Sequence, residues 1–249
     1  MKPRFIKLLI VAIPVLLLAA CAANKGTVHR PVSRPSDKPI AILFVGNSYS
    51  FDVPKELKRL AARNGHRVRV GQVTNGGWTL EQHTRNEETL RAIREGGWDI
   101  VVLQEQSRIP SRPIKRVLAM FPAVRELAEI ARSHGAEPVL YQTWGYRDGD
   151  SYRSGDDFHA MVARVREGYH AAAAHAGGLR VIPAGDAWER EMSAGRGAML
   201  FQDDGSHPTR EGNRRTASVF YRELLASDPA GDDISQTLAS TSPGSSESP

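Results

Sequence analysis

Cysteine is almost missing from this 249-residue chain: Cys21 is the only one. No intrachain disulfide can form, and a cysteine-built zinc site or a dithiol redox centre is excluded with it. None of the eight histidines stands in a His-Glu-x-x-His pattern, which argues against a metal centre. Long apolar runs are lacking too. The best, Leu8 to Ala20, is about 13 residues, too short to span a bilayer as a helix. Nor is there a concentrated block of bases. The formal charge is +5, but residues 1–21 hold three Lys/Arg and no acid, and without them 30 bases face 28 acids. The bases are scattered and not interleaved with aromatics, so a dedicated nucleic-acid surface is not expected.

What is present begins with a leader. Lys2, Arg4 and Lys7 precede the Leu8–Ala20 run, the charged and apolar halves of an export signal. Leu18-Ala19-Ala20-Cys21 resembles the lipobox of bacterial lipoproteins, which implies that 1–21 is a lipoprotein signal segment in which the part before the cysteine is removed and Cys21 is acylated, palmitate included. More than one acyl chain is what stable membrane anchoring requires. The resemblance places the protein in the bacterial cell envelope, facing the periplasm or the exterior, with the membrane as a partner. Residues 22–39 are polar and proline-bearing and read as a tether. Residues 227–249 carry four acids and no base among Ser, Pro and Gly, and are expected to be a disordered tail. One domain, 40–226, remains.

Within it, short β-branched runs alternate with longer segments of helical period. The runs 40–45, 68–73, 100–103, 138–143 and 179–183 are the expected strands. Val53, Leu57, Leu60 and Ala61 mark one helical face; Val117, Met120, Phe121, Val124, Leu127, Ala128 and Ala131 mark another. Five strands with intervening helices give an α/β fold, a three-layer α/β/α sandwich around a parallel sheet, whose ligand site lies at the carboxyl ends of the strands.

Ser48 follows the first expected strand in Gly46-Asn47-Ser48, at that edge. Serine becomes a nucleophile when an imidazole takes its proton, and the imidazole needs a carboxylate on its other nitrogen. The stretch 203–213, DDGSHPTREGN, supplies both in one loop, with Asp204 three residues before His207 and Gly205 allowing a tight turn. Pro208 suits the first position of a following helix. Gly77, in NGGWT after the second strand, lets a backbone N–H approach a substrate, and Gln104 or Gln106 after the third could donate a side-chain amide. Gly-x-Ser-x-Gly is not met, because Ser50 replaces the second glycine; this argues against an α/β-hydrolase elbow. A glycine-rich phosphate loop is also lacking after the first strand, against a flavodoxin-like cofactor carrier.

These blocks resemble the SGNH or GDSL hydrolases, serine esterases and lipases, over the whole of 40–226. Gly46-Asn47-Ser48 matches the Gly-Asp-Ser block, Gly77 the oxyanion glycine, and Asp204, His207, Pro208 and Gly212 the closing Asp-x-x-His block. The resemblance implies a flavodoxin-like sheet of five parallel strands. It implies an ester hydrolase with catalytic Ser48, His207 and Asp204, an oxyanion site from the Ser48 and Gly77 amides with Gln106 or Gln104, and no cofactor. With export and tethering, the expected substrate is a small-molecule or glycan acyl ester, acetyl esters on carbohydrate or envelope polymers first. The alternative is a glycan-binding lipoprotein that keeps the cleft without turnover. Two departures stand out: Asn47 replaces the usual aspartate, and no Gly-x-Asn-Asp follows the third strand.

Other residues carry paired readings. Trp78, Trp144 and Tyr146 lie near strand ends, where rings either stack on sugars or pack in the core. His83 is expected to be a surface or packed histidine, with a place lining the cleft as the other reading. Asp186 is expected to cap the helix after the fifth strand.

Overall fold

Five short runs rich in Val, Ile and Leu, each followed by an amphipathic segment, can bury their apolar sides only by stacking in layers. The computed structural model of the chain describes residues 38–226. The leader with Cys21, the tether up to residue 37 and the tail 227–249 lie outside the described residues.

The strands are β1 (Ile40–Gly46), β2 (Val68–Thr74), β3 (Ile100–Leu103), β4 (Glu137–Gln142) and β5 (Arg180–Pro183). They form one parallel sheet in the order β2-β1-β3-β4-β5. This is the flavodoxin-like order, and the five expected strands agree with it to within a residue or two at each end. The chain leaves β1 toward β2 and then returns past β1 to β3. The carboxyl ends of β1 and β3 therefore flank the crevice at which doubly wound sheets bind ligands.

Helices α1 (Val53–Arg63), α7 (Ala184–Ser193) and α8 (Arg210–Leu224) cover one face, and α2 (Leu80–Thr84), α3 (Glu87–Glu95), α5 (Phe121–Ser133) and α6 (Phe158–His175) the other. The inner strands are buried on both sides, as parallel strands must be. Ile42 and Phe44 pack toward the first set, Leu43 and Val45 toward the second. Fully burying each such side chain contributes about 1.5–3 kcal/mol. Among the described residues no helix is long and apolar enough to cross a membrane.

The helical face expected at 117–131 needs one correction. Val117 is 58% exposed, and Arg116 is buried in its place. Between α4 (Pro113–Lys115) and α5 the chain makes a π-helical turn, Arg116–Met120. The wider turn shifts the phase, so the stripe that runs back from Val124 through Met120 meets Arg116 and not Val117. Arg116 ends in the carbonyl of Arg164 at 2.7 Å and Glu167 at 2.9 Å.

Two start signals also differ. Helix α8 begins at Arg210, because the Thr209 hydroxyl caps it by accepting the Gly212 N–H at 3.2 Å. Pro208 instead bridges to Phe201 ahead of the helix. Asp186 caps nothing: α7 starts straight off β5, and the Asp186 carboxylate accepts from Gln142 Nε2 at 2.6 Å and Arg166 Nε at 2.8 Å.

Candidate active site

β1 ends at Gly46, and Ser48 opens a single 3-10 turn, Ser48–Ser50, that leads into α1. Gly46 is required by crowding. A Cβ there would lie 2.5 Å from Gln104 Oε1 and 2.9 Å from Gln104 Cβ, closer than such contacts occur. Gln104 is buried and fills that space: its Oε1 accepts the Asn47 N–H at 2.9 Å and the Ser50 hydroxyl at 3.0 Å. Its Nε2 donates to Asn47 Oδ1 at 3.0 Å and to the Glu105 carbonyl at 2.6 Å. Both amide hydrogens are thus spent beneath the serine turn. Gln104 is therefore a brace and not an oxyanion donor, which corrects that part of the sequence reading.

Asn47 is the other brace. Oδ1 accepts the Tyr49 N–H at 3.2 Å, and Nδ2 donates to the Trp78 carbonyl at 2.9 Å. The second bond ties the serine turn to the Asn75–Trp78 turn after β2. Asn75 N–H adds a bond to the Gly46 carbonyl at 3.2 Å. That carbonyl also meets His83 Nε2 at 2.9 Å, while His83 Nδ1 lies 2.8 Å from the Thr89 hydroxyl. A carbonyl only accepts, so Nε2 carries the hydrogen. Of its readings His83 takes the packed one, and its burial lowers its pKa, which keeps the ring neutral.

Across the crevice the 203–207 loop returns from the far end of the chain. Ser48 Oγ lies 3.0 Å from His207 Nε2, and His207 Nδ1 lies 2.5 Å from Asp204 Oδ2. Asp204 Oδ1 accepts the N–H groups of Ser206 and His207, each at 2.9 Å. Gly205, at φ +66°, makes the loop tight enough for this. Burial alone would raise the Asp204 pKa, but the His207 ring and the two N–H donors outweigh it and hold the carboxyl down at about 2. An ionised Asp204 can only accept, so Nδ1 carries the hydrogen and Nε2 offers its lone pair to the Ser48 hydroxyl. Asp203 reaches this region only through its carbonyl, which meets Arg147.

The loop is seated by Tyr49 and Ser206, which sequence reasoning left unassigned, together with Trp144. Ser206 Oγ lies 2.6 Å from the Tyr49 hydroxyl, and its carbonyl accepts Trp144 Nε1 at 3.0 Å. Tyr49 stacks on Trp144 at 4.7 Å between centroids, and Trp144 on Trp188 at 3.7 Å. The edge of this stack faces the His207 ring at 5.6 Å from Tyr49. Trp144 is fully buried, so of its two readings packing holds. Trp78 is half-buried against His83, and Tyr146 directs its hydroxyl to Ser107 at 2.6 Å. The signal for Tyr49 was its place beside Ser48, in GNSYS.

Gly77 sits in the second turn with φ +74° and open space around it. Among the described residues neither its N–H nor that of Ser48 enters a backbone hydrogen bond. Gln106 is partly committed: Oε1 accepts the Arg108 N–H at 2.9 Å, and Nε2 makes a long contact to Ser107 Oγ at 3.4 Å. One amide hydrogen remains. Among the described residues no three His, Cys, Asp or Glu side chains gather as a metal site would require.

A three-layer α/β/α fold thus brings a hydroxyl, an imidazole and a carboxylate into line at the carboxyl edge of its sheet, an arrangement suited to ester hydrolysis. Solved structures agree. A candidate SGNH hydrolase from Slackia heliotrinireducens is 29% identical with a TM-score of 0.63, over 76% of this chain and 100% of that one. A DUF4886-family protein from Bacteroides uniformis is 20% identical with a TM-score of 0.63, over 79% and 90%. An acetyl xylan esterase is 11% identical with a TM-score of 0.57, over 75% and 100%, a likeness of fold. No protein-family model and no curated protein matches the chain. These likenesses make the chain similar to the SGNH/GDSL hydrolases in fold and support that family.

Proposed function

We propose that the protein hydrolyses carboxylic esters by a Ser48–His207–Asp204 relay. Ser48 Oγ attacks the acyl carbon while His207 Nε2 takes its proton, and the resulting oxyanion is met by the Ser48 and Gly77 N–H groups with the free hydrogen of Gln106 as third donor. His207 returns the proton to the leaving alcohol. Water, deprotonated by the same nitrogen, then cleaves the acyl-enzyme and frees Ser48. Asp204 stays ionised throughout, holding the imidazole in the tautomer that accepts from serine and stabilising it once protonated. No cofactor enters this cycle.

The observation that carries the reading is the continuous pair of contacts, 3.0 Å from Ser48 Oγ to His207 Nε2 and 2.5 Å from His207 Nδ1 to Asp204 Oδ2. We further propose an envelope setting, with residues 1–21 as leader, Cys21 as lipid anchor, residues 22–39 as tether and the tail after residue 226. The leader and lipobox motif support it. That setting favours acyl esters, acetyl first, on carbohydrate or envelope polymers; buried Trp144 adds no support for sugar stacking.

Ser48→Ala tests the relay. Turnover of p-nitrophenyl acetate is expected to fall by on the order of 10⁶-fold with the fold intact, as loss of a triad nucleophile does. Equal rates in the two proteins would refute the assignment. A panel of acetylated sugars, p-nitrophenyl esters and lysolipids then sorts substrates.

A further inference from the structure

An acid at the end of a fully buried strand is costly unless it is used. Glu105 follows β3 with only Gln104 between, and its side chain has no exposure. Oε1 accepts two backbone N–H groups, Gln106 at 2.6 Å and Leu80 at 3.2 Å. Oε2 is buried without a hydrogen-bond partner. The Glu105 peptide is held as well: its N–H donates to the Tyr169 hydroxyl at 3.1 Å, and its carbonyl accepts Gln104 Nε2 at 2.6 Å.

Those contacts join three segments. Leu80 opens α2 directly after the turn that carries Gly77. Gln106 lies on the loop after β3. Gln104 braces the turn that carries Ser48. We propose that Glu105 is the positioning residue that locks the Gly77 turn and the Gln106 loop into one oxyanion-binding frame beside Ser48. This rests on the proposed roles of Gly77, Gln106 and Ser48 in ester hydrolysis.

The same burial gives the lock a charge state. The groups that bear on the carboxyl electrostatically are Glu81 on α2 and Tyr169 on α6, neither of them a cation. Burial raises the Glu105 pKa, the Gln106 and Leu80 N–H groups pull it down, Glu81 adds a little upward, and the balance is about 7. Below that pH the group is a neutral acid; above it an anion is fixed in the wall of a site where negative charge must develop. One such charge slows the oxyanion-forming step by about tenfold or more. Reactivity should therefore fall on the alkaline side as Glu105 ionises through about 7.

The test follows Ser48 labelling by a fluorophosphonate, which needs the nucleophile and the oxyanion frame but no known substrate. Labelling rates are measured from pH 5 to 9 for the full chain and for Glu105→Gln. Glutamine keeps an acceptor oxygen for Leu80 and Gln106 and is neutral throughout. The alkaline fall should vanish, leaving Glu105→Gln about tenfold faster than wild type at pH 9. An unchanged alkaline fall in Glu105→Gln overturns the proposal while the hydrolase reading stands; wild type unlabelled at every pH overturns the hydrolase reading. Should Glu105→Gln not fold, the ¹³C carboxyl signals of glutamate-labelled wild type decide. A carboxyl titrating near 7 in step with the labelling rate supports the proposal, and none titrating there overturns it.

Discussion

Asn47→Asp would give the chain the carboxylate of the usual Gly-Asp-Ser block, and it should be harmful. The Asn47 amide is almost fully buried, with Oδ1 accepting from Tyr49 N–H and Gln104 Nε2 and Nδ2 donating to the Trp78 carbonyl at 2.9 Å. Aspartate keeps the acceptor side. On the donor side it sets an oxygen against a carbonyl, with no hydrogen between them. Losing one partner of a buried bond costs about 1–3 kcal/mol, and the charge adds to it. A net loss of about 2–3 kcal/mol lowers Tm by roughly 5–10 °C in a domain of this size. The sign with pH follows from burial, which raises the pKa of the new carboxyl in the folded state. The folded protein then keeps a proton that the unfolded chain has lost, so the variant loses stability as pH rises through the carboxylate range up to that raised value. Once protonated, the introduced carboxyl can donate to the Trp78 carbonyl again. Urea or thermal unfolding of Asn47→Asp at pH 5 and pH 8 should show the larger deficit at pH 8. A variant within about 0.5 kcal/mol of wild type at pH 8 would refute the bracing role.

Two further outcomes are expected. Gly46→Ala forces a methyl to 2.5 Å from Gln104 Oε1, so it should displace Gln104 and cut Ser48 labelling together with stability; a variant with normal labelling and Tm would show that the crowding is relieved at no cost. Asp204→Asn should lower turnover by about 10⁴-fold, since the imidazole loses its tautomer partner, while Tm falls only slightly because the carboxylate is half exposed and solvent screens its pairing. Because Asp204 is held at about 2, the modest stability it adds is present above its ordinary value near 3.8 and is lost as pH falls from there toward 2. Comparing acid unfolding of Asp204→Asn and wild type checks this.

Much of the layout is legible in the chain because it is local. β1 and β3 are continuous apolar runs, and a parallel strand buried on both faces has no other appearance. Asp204 and His207 share a loop, so their pairing is written in spacing. Phase and reach are harder. Val117 is in step with Met120, Val124 and Leu127 on an ideal helix, and only the π turn, which no residue announces, moves it into solvent. Gln104 and Gln106 are chemically alike two positions apart. Which one braces Asn47 and which keeps a free hydrogen depends on Gly46, distant from Gln104 in the chain and adjacent to it only once β1 and β3 pair. Glu105, flanked by two glutamines in LQEQS, reads as part of a polar strand end. Its burial comes from α2 and α6 closing over it.

The separation of 159 residues between Ser48 and His207 has a consequence for biogenesis. Hydroxyl and base come from opposite ends of the domain, and the loop bearing the base is seated against Tyr49 and Trp144, which are themselves far apart in the chain. Loop closure of that length is among the last contacts a chain can form. A polypeptide still emerging from the ribosome therefore cannot bring Ser48 and His207 together until nearly the whole domain has been delivered.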